Sequence, residues 1–331
     1  MFYYIESANI DPCYNLALEQ FVFDSLDRSH NYFMLWQNHN SVIVGKNQNT
    51  IAEINQAAVS EHNINVVRRL SGGGAVYHDL GNLNFTFITD AGAEKGIDFS
   101  SFCLHIQKAL LALGVPAEIT GRNDITVEGK KISGNAQYVK QGRVMHHGTL
   151  LYDSNLDMLS KVLNVTSDKI ESKGIKSIKS RVANIRPYMR YDLPTNNFLA
   201  VFKNFMIADF NLQEFPLTGE HNTAVEEIKD KIYSQWSWNY GASPAYNIRK
   251  TRRIEGCGKI DIFLDVGKQG LINGISFYGD FFGEKDCGEL SDMLKGRHLE
   301  FNELKAVLSG IDISRYFFGL GIKDFLALLL E

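Results

Sequence analysis

Three consecutive glycines, Gly72–Gly74, follow the β-branched run INVVRRL and precede AVYH. Lacking Cβ atoms, they allow φ > 0, close approach of another backbone, and successive N–H groups converging on one point. A strand that enters such a turn reads as one wall of an anion-binding loop. Arg69 beside it offers a planar fork for a carboxylate or phosphate. The same letters also suit a flexible hairpin turn with a solvated arginine. Neither G-x-x-x-x-G-K-[ST] nor G-x-G-x-x-G ahead of a helix is present, which excludes a standard P-loop or dinucleotide fingerprint.

The patterns around the glycines predict mixed elements. Asp11 and Pro12 open a helix with Leu16, Ala17, Phe21 and Phe23 as apolar positions. NYFMLWQNHNSVIVGKNQN reads as strands broken by Asn-rich turns, residues 51–62 as a short helix, and LNFTFI as a strand. Residues 98–113 present Phe99, Phe102, Ile106, Leu110 and Leu113 at helical spacing, with Gly114 as terminator. Residues 117–153 read as several short strands, and helical patterns return near 156–163, 196–210 and 223–234. WSWNYGASPAYN (236–247) marks a boundary, after which KIDIFLDVGKQGLINGISFYGDFF reads as a β-hairpin and strand, followed by two short helices near 288–295 and 301–309. Strands and helices without βαβ alternation indicate an α+β architecture. At 331 residues the chain suits one large and one small unit.

The net charge is −4, so general coating of nucleic acid is not expected. The average conceals a segregation. Residues 169–190 hold seven basic side chains and one acid, +6, leaving −10 for the remainder. The N-terminal residues lack the pattern of a secretory signal, and no apolar run reaches the length of a membrane span. The four cysteines, Cys13, Cys103, Cys257 and Cys287, have no metal or disulfide spacing and are expected reduced and mostly buried. A cytoplasmic protein is expected.

Three further stretches carry chemistry. In GRNDITVEGKKISGNAQ (121–137), Lys130 and Lys131 follow a turn and precede the small residues Ser133 to Ala136; a strand lysine facing a site can neutralise a phosphate or polarise a carbonyl. Asn123 and Asp124 sit in a turn that their own side chains could stabilise. In HHGTLLYD, His146 and His147 point to opposite faces of a strand, so at most one faces a pocket. KGIKSIKSRVANI lies in the basic window and reads either as a solvated face or as an anion-binding loop.

RRLSGGGAVYHD, GRNDITVEGKKISGNAQ, HHGTLLYD and KGIKSIKSRVANI, in this order and spacing, resemble the lipoate–protein ligases over about residues 1–245. The tail, from SPAYNIRK through GISFYGDFFG, resembles the accessory domain of the two-domain members. The resemblance implies the α+β fold shared with biotin–protein ligases: a catalytic domain over 1–245 and a small α+β accessory domain over 246–331. It implies that ATP and Mg²⁺ turn lipoate, with octanoate as an alternative, into an acyl-adenylate. The acyl group then passes to a lysine of a lipoyl carrier domain, an E2 subunit of a 2-oxoacid dehydrogenase or the glycine cleavage H protein. Neither nucleic acid nor membrane is an expected partner.

Carried over residue by residue, the resemblance makes Lys131 the essential lysine, touching the lipoyl carbonyl and the phosphate. Arg69, Ser71, Gly74, Ala75, Val76 and Tyr77 would line ATP or the adenylate. Asn123 and Asp124 would lie near the nucleotide, with Asp124 a ligand for Mg²⁺. His78 and His147 match histidines at the rim of the lipoate pocket, and the basic 173–186 segment matches one that closes over the adenylate. Leu16, Leu35, Trp36 and Val44 are candidates for an apolar tunnel. A cysteine-dependent acyl transferase of the same fold would need a reactive Cys, and the 114–250 segment contains none. The GRGRxxR-type loop of biotin ligases is absent. Arg69 and Lys131 count against a catalytically silent sensor.

Overall fold

A computed structural model describes residues 1–90, 98–121, 123–164, 181–240, 248–267 and 270–330. The strands in chain order are β1 (Phe2–Glu6), β2 (Asn31–Trp36), β3 (Ser41–Val44), β4 (Asn65–Arg68), β5 (Val76–His78), β6 (Asn82–Asp90) and β7 (Glu118–Thr120). They continue with β8 (Asp124–Val127), β9 (Lys130–Lys140), β10 (Arg143–Leu151), β11 (Gln213–Glu214), β12 (Ile248–Ile254), β13 (Gly258–Val266) and β14 (Ile272–Gly279). A large mixed sheet runs β11-β1-β2-β6-β10-β9-β8-β7, and two smaller sheets run β4-β3-β5 and β12-β13-β14. This is the expected α+β arrangement.

Helix α1 (Pro12–Ser25) starts where the sequence places it. Asp11 caps the helix by accepting a hydrogen bond from the Cys13 N–H, and Pro12 occupies the first turn. Leu16, Ala17, Phe21 and Val22 of α1 join Ile5, Met34, Trp36 and Met145 in one core. Each of the larger aliphatic and phenyl side chains among them, fully buried, contributes about 1.5–3 kcal/mol. Helix α2 (Ser100–Ala112) and helix α3 (Thr195–Phe210) cover the other face of the large sheet, where Cys103, Ile106, Leu110, Phe198 and Phe202 pack on Phe33, Phe85 and Phe87. Residues 51–62 form two short helices, Thr50–Glu53 and Gln56–Glu61.

The C-terminal strands enclose a separate core with residues from Cys287 to Leu329, among them Ile260, Ile262, Phe277, Leu290, Phe317 and Phe325. Two elements here escape the sequence patterns. IRKTRRI, with four basic residues in seven, is the edge strand β12, which among the described residues pairs with β13 alone. Ile322–Leu330 is a helix that packs its Phe325 and Leu329 into this core.

Candidate active site

The glycine turn joins β4 to β5 across the end of β3. Its three glycines have different neighbours. Gly73 has φ +87°, and a Cβ there would lie 2.9 Å from the Phe282 ring; a Cβ on Gly72 would strike the Phe281 carbonyl. The Gly73 N–H donates to that same carbonyl at 3.2 Å. Gly74 has open space where a Cβ would stand, and Gly74, Ala75 and Val76 are half-buried. The turn is therefore packed on one side and open at its lip.

Arg69 holds the turn from beneath. At 6% exposure it donates from Nε to Ser71 Oγ (3.0 Å) and from NH1 to the Ile43 carbonyl (3.2 Å). Its NH2 donates to the carbonyls of Gly72 (2.6 Å) and Gly74 (2.9 Å). Burial pushes its pKa down to about 10, against the opposing charge of Glu19, so it stays a cation at neutral pH. The neighbouring Arg68 serves another loop, donating to the carbonyls of Gly45, Lys46 and Gln48.

Beneath the turn lies His147. Its Nε2 is 2.6 Å from Ser71 Oγ and its Nδ1 is 2.9 Å from Glu19 Oε1. Along β10, His147 and Thr149 share a face, about 7 Å apart. Thr149 Oγ1 accepts from the Gly134 N–H on β9 at 3.3 Å. A Cβ on Gly134 would sit 2.6 Å from Lys131 Nζ, so the lysine ammonium lies over the same sheet face as His147. Its partner is Asp124, at 2.8 Å, and both side chains are about one-third exposed. One face of the large sheet thus carries a partly exposed ammonium and, through His147, meets the glycine turn of the small sheet.

A family model described as the lipoyl protein ligase A/B catalytic domain matches residues 11–207, and one described as the bacterial lipoate protein ligase C-terminus matches 243–329. Lipoate-protein ligase LplJ of Bacillus subtilis is 44% identical over 98% of this chain and 99% of its own. Lipoate–protein ligase 1 of Staphylococcus aureus is 44% identical over 95% of both chains.

This chain belongs to the lipoate–protein ligase family.

A P. falciparum protein solved with lipoate shares the fold over 100% of this chain and 98% of its own (TM-score 0.80, 24% identity). A lipoate-protein ligase A solved with ATP matches 72% of this chain and 98% of its own (TM-score 0.60, 26% identity).

Within the ligase fold, the remaining expected residues can now be placed. Tyr77 and His78 lie on β5, both buried; Tyr77 donates to Asn40 Oδ1 at 3.1 Å. His78 Nδ1 faces the Asn38 amide at 3.2 Å, and burial together with the Arg69 charge pushes its pKa down to about 3. His78 and His147, expected at a rim, are 3% and 6% exposed. Asn123 locks its turn, its Nδ2 donating to the Asn135 carbonyl at 2.5 Å and its own carbonyl accepting from the Asn135 N–H at 3.0 Å. Most of the basic segment, 165–180, lies outside the described residues. Where the chain returns, the Lys131 N–H donates to the Arg181 carbonyl at 2.7 Å, so that segment ends beside the lysine. Arg186 pairs with Asp153 and Asp192.

The tunnel candidates divide among cores. Leu16 and Trp36 pack together, Leu35 lies on the opposite sheet face because adjacent strand residues alternate, and Val44 belongs to a third cluster. Burial pushes the Cys13 thiol up to about 11 and Cys103 to about 12, which keeps both protonated and unreactive at neutral pH. Among the described residues no helix is long and apolar enough to cross a membrane. Sequence reasoning missed Glu19. Its signal was an acid amid the apolar helix residues LALEQFVF.

Proposed function

We propose that this protein activates lipoate with ATP and passes the lipoyl group to a lysine of a carrier domain, the E2 and glycine cleavage H proteins being the candidates. Octanoate would serve as a shorter substrate. The observation that carries this reading is the sheet face itself: a partly exposed ammonium on the same face as His147, which is bonded through Ser71 to a glycine turn whose lip is open. Residues 1–245 would form the catalytic unit and 246–331 the accessory one. A reaction that draws on ATP fits a cytoplasmic setting.

The chemistry follows from charge. A carboxylate is a poor acyl donor, so its oxygen must first attack the α-phosphorus of ATP, releasing pyrophosphate and leaving a mixed anhydride. Two anions have to meet for that step. Lys131, on releasing Asp124, can bridge the lipoyl carboxylate and the α-phosphate. The N–H groups of Gly74, Ala75, Val76 and Tyr77 would line the nucleotide, with Ser71 and Arg69 fixing the turn and adding a positive charge from below. Asn123 would act by holding the Asp124 turn. His78, kept neutral, and His147 would border the lipoyl group.

The donor chemistry suits Mg²⁺ in the mode that takes one or two carboxylates plus substrate phosphates. The half-exposed Asp124 is the carboxylate that would hold it, and the ion would neutralise the triphosphate and polarise its oxygens. In the second step the acceptor amine attacks the carbonyl and AMP leaves, so no enzyme nucleophile is needed. A relative described as a bipartite lipoate protein ligase from Thermoplasma acidophilum was studied together with its E2 lipoyl domain (27% identity, TM-score 0.62, 75% of this chain and 98% of its own).

The test is mass spectrometry of an added lipoyl domain. With lipoate, ATP and Mg²⁺ present, the domain should gain one lipoyl group; leaving out ATP should abolish the gain. An unchanged mass in the complete mixture would refute the reading.

A further inference from the structure

Glu19 lies on α1, is 1% exposed, and has no place in the chemistry above. A carboxylate removed from water must find donors, and here it finds them on two sides. Thr86 Oγ1 donates to Glu19 Oε1 at 2.5 Å and itself accepts from Trp36 Nε1 at 2.9 Å. From the other side His147 Nδ1 approaches Oε1 at 2.9 Å and Oε2 at 3.2 Å.

An ionised carboxylate only accepts, so the Nδ1 position of His147 carries the proton. In the neutral ring Nε2 then accepts, and the Ser71 hydroxyl is its donor at 2.6 Å. With its proton committed, Ser71 Oγ is left to accept from Arg69 Nε–H at 3.0 Å. Arg69 in turn grips the carbonyls of Gly72 and Gly74. Every hydrogen bond in the chain therefore runs one way: Arg69 to Ser71 to His147 to Glu19, with Trp36 and Thr86 closing in from the far side. A buried cation stands at one end and a buried anion at the other.

We infer that Glu19 is a positioning residue for lipoate activation, acting on the glycine turn through His147, Ser71 and Arg69; this rests on the ligase reading above. Its charge balances Arg69, and its two acceptor oxygens select the Nδ1–H form of His147. Replacing it with glutamine keeps the shape and removes both functions. Oε1 can still accept from Thr86 and from the ring, but an amide N–H in the place of Oε2 now faces the His147 Nδ1–H that both oxygens formerly accepted. The ring escapes the conflict by moving its proton to Nε2, which turns a second donor toward Ser71 and orphans the serine hydroxyl proton. The turn loses its fixed geometry at the end nearest Gly74.

The experiment compares wild type, Glu19→Gln and Glu19→Asp in lipoate-dependent ATP–pyrophosphate exchange and by ¹⁵N-histidine NMR. A turn that binds nucleotide equally in ground and transition states affects KM when loosened. Glu19→Gln should raise KM for ATP about 10- to 100-fold, the range expected when a buried donor is left unsatisfied, with kcat changed by less than about threefold. The His147 resonances should move from the Nδ1–H to the Nε2–H pattern. Glu19→Asp keeps the charge and should lie closer to wild type than Glu19→Gln on both readouts. An unchanged KM and tautomer in Glu19→Gln, or an aspartate variant no better than the glutamine, would overturn the assignment. If Glu19→Gln does not fold, Ser71→Ala cuts the same chain at its middle and should give the same KM effect; a wild-type KM there would count against the relay. Absent exchange in wild type would defeat the ligase reading instead, and the tautomer measurement would still decide the relay.

Discussion

Arg69 and Lys131 are both cations of the candidate site, yet the fold treats them in opposite ways. Arg69 is buried, its Nε, NH1 and NH2 all engaged by Ser71 and by carbonyls of Ile43, Gly72 and Gly74. The Lys131 side chain is 35% exposed and holds one carboxylate in an ion pair. A cation whose donors are committed to its own backbone can shape a ligand site and lend its charge. A cation in a single, partly solvated pair can exchange that partner for a substrate oxygen at little cost, because such pairs contribute only about 0–1 kcal/mol. Position in the interior thus separates scaffold from reagent, though both residues are basic and both stand beside runs of small residues.

Substitutions can break this contrast in order of expected effect. Arg69→Ala should be the most damaging to stability. It leaves loop carbonyls without their donors and the Glu19 charge without its balancing cation, a loss on the order of 3–5 kcal/mol that urea unfolding would register. A cost below about 1 kcal/mol would mean that Arg69 is not the scaffold. The glycines come next. Gly73→Ala meets both a left-handed backbone and the Phe282 ring and should cost about 1–3 kcal/mol, while Gly74→Ala should leave unfolding unchanged and weaken ATP binding by crowding the open lip. Equal melting temperatures for the two variants would erase the distinction between packed and open sides.

The two faces of β10 give a third prediction, through pH. His146 lies opposite His147, its Nε2 within 3.2 Å of Asn135 Oδ1 and its ring stacked on Phe102; burial pushes its pKa down to about 3, as it does for His78. Both rings are neutral in the folded protein, whereas the unfolded chain takes up their protons below the ordinary value of 6.5. Stability present above pH 6.5 is therefore lost as the pH falls toward 3, at about 1.4 kcal/mol per pH unit for each ring. His146→Gln should lower that slope by one proton in urea titrations between pH 6 and 4; an unaltered slope would show that the ring is not neutral. The smallest effect belongs to Arg186, which pairs at the surface with Asp153 and Asp192. Arg186→Gln should change stability by less than about 1 kcal/mol and leave exchange untouched, whereas a large loss of activity would bring that residue into the site.

Much of this was legible in the sequence because punctuation residues are local. Gly114 and the Asp11–Pro12 helix start mark their cap and turn through local backbone requirements, and Gly72–Gly74 mark a turn even though the Phe281 and Phe282 contacts that crowd Gly72 and Gly73 come from far along the chain. Lys131 stood out for a similar reason, as a lysine next to small residues. The accessory core showed its hairpin but hid β12, since IRKTRRI reads as a solvated charge run until its pairing with β13 is known. The tunnel candidates failed on strand alternation: Leu35 and Trp36 are neighbours in sequence and face opposite cores. Glu19 was invisible as a site residue because its partners, His147 and Thr86, and Ser71 beyond His147, come from strands and loops far along the chain. Only their convergence distinguishes a relay from an ordinary helix acid.

The separation of scaffold from reagent is tested most directly by lipoate-dependent ATP–pyrophosphate exchange in wild type and Lys131→Ala, each with its melting temperature. The account predicts that exchange in the variant falls by about 10²-fold or more, the effect of removing a charge that stabilises the transition state, while the melting temperature stays within about 2 °C of wild type. Exchange that survives Lys131→Ala, or that disappears only together with the fold, would contradict it.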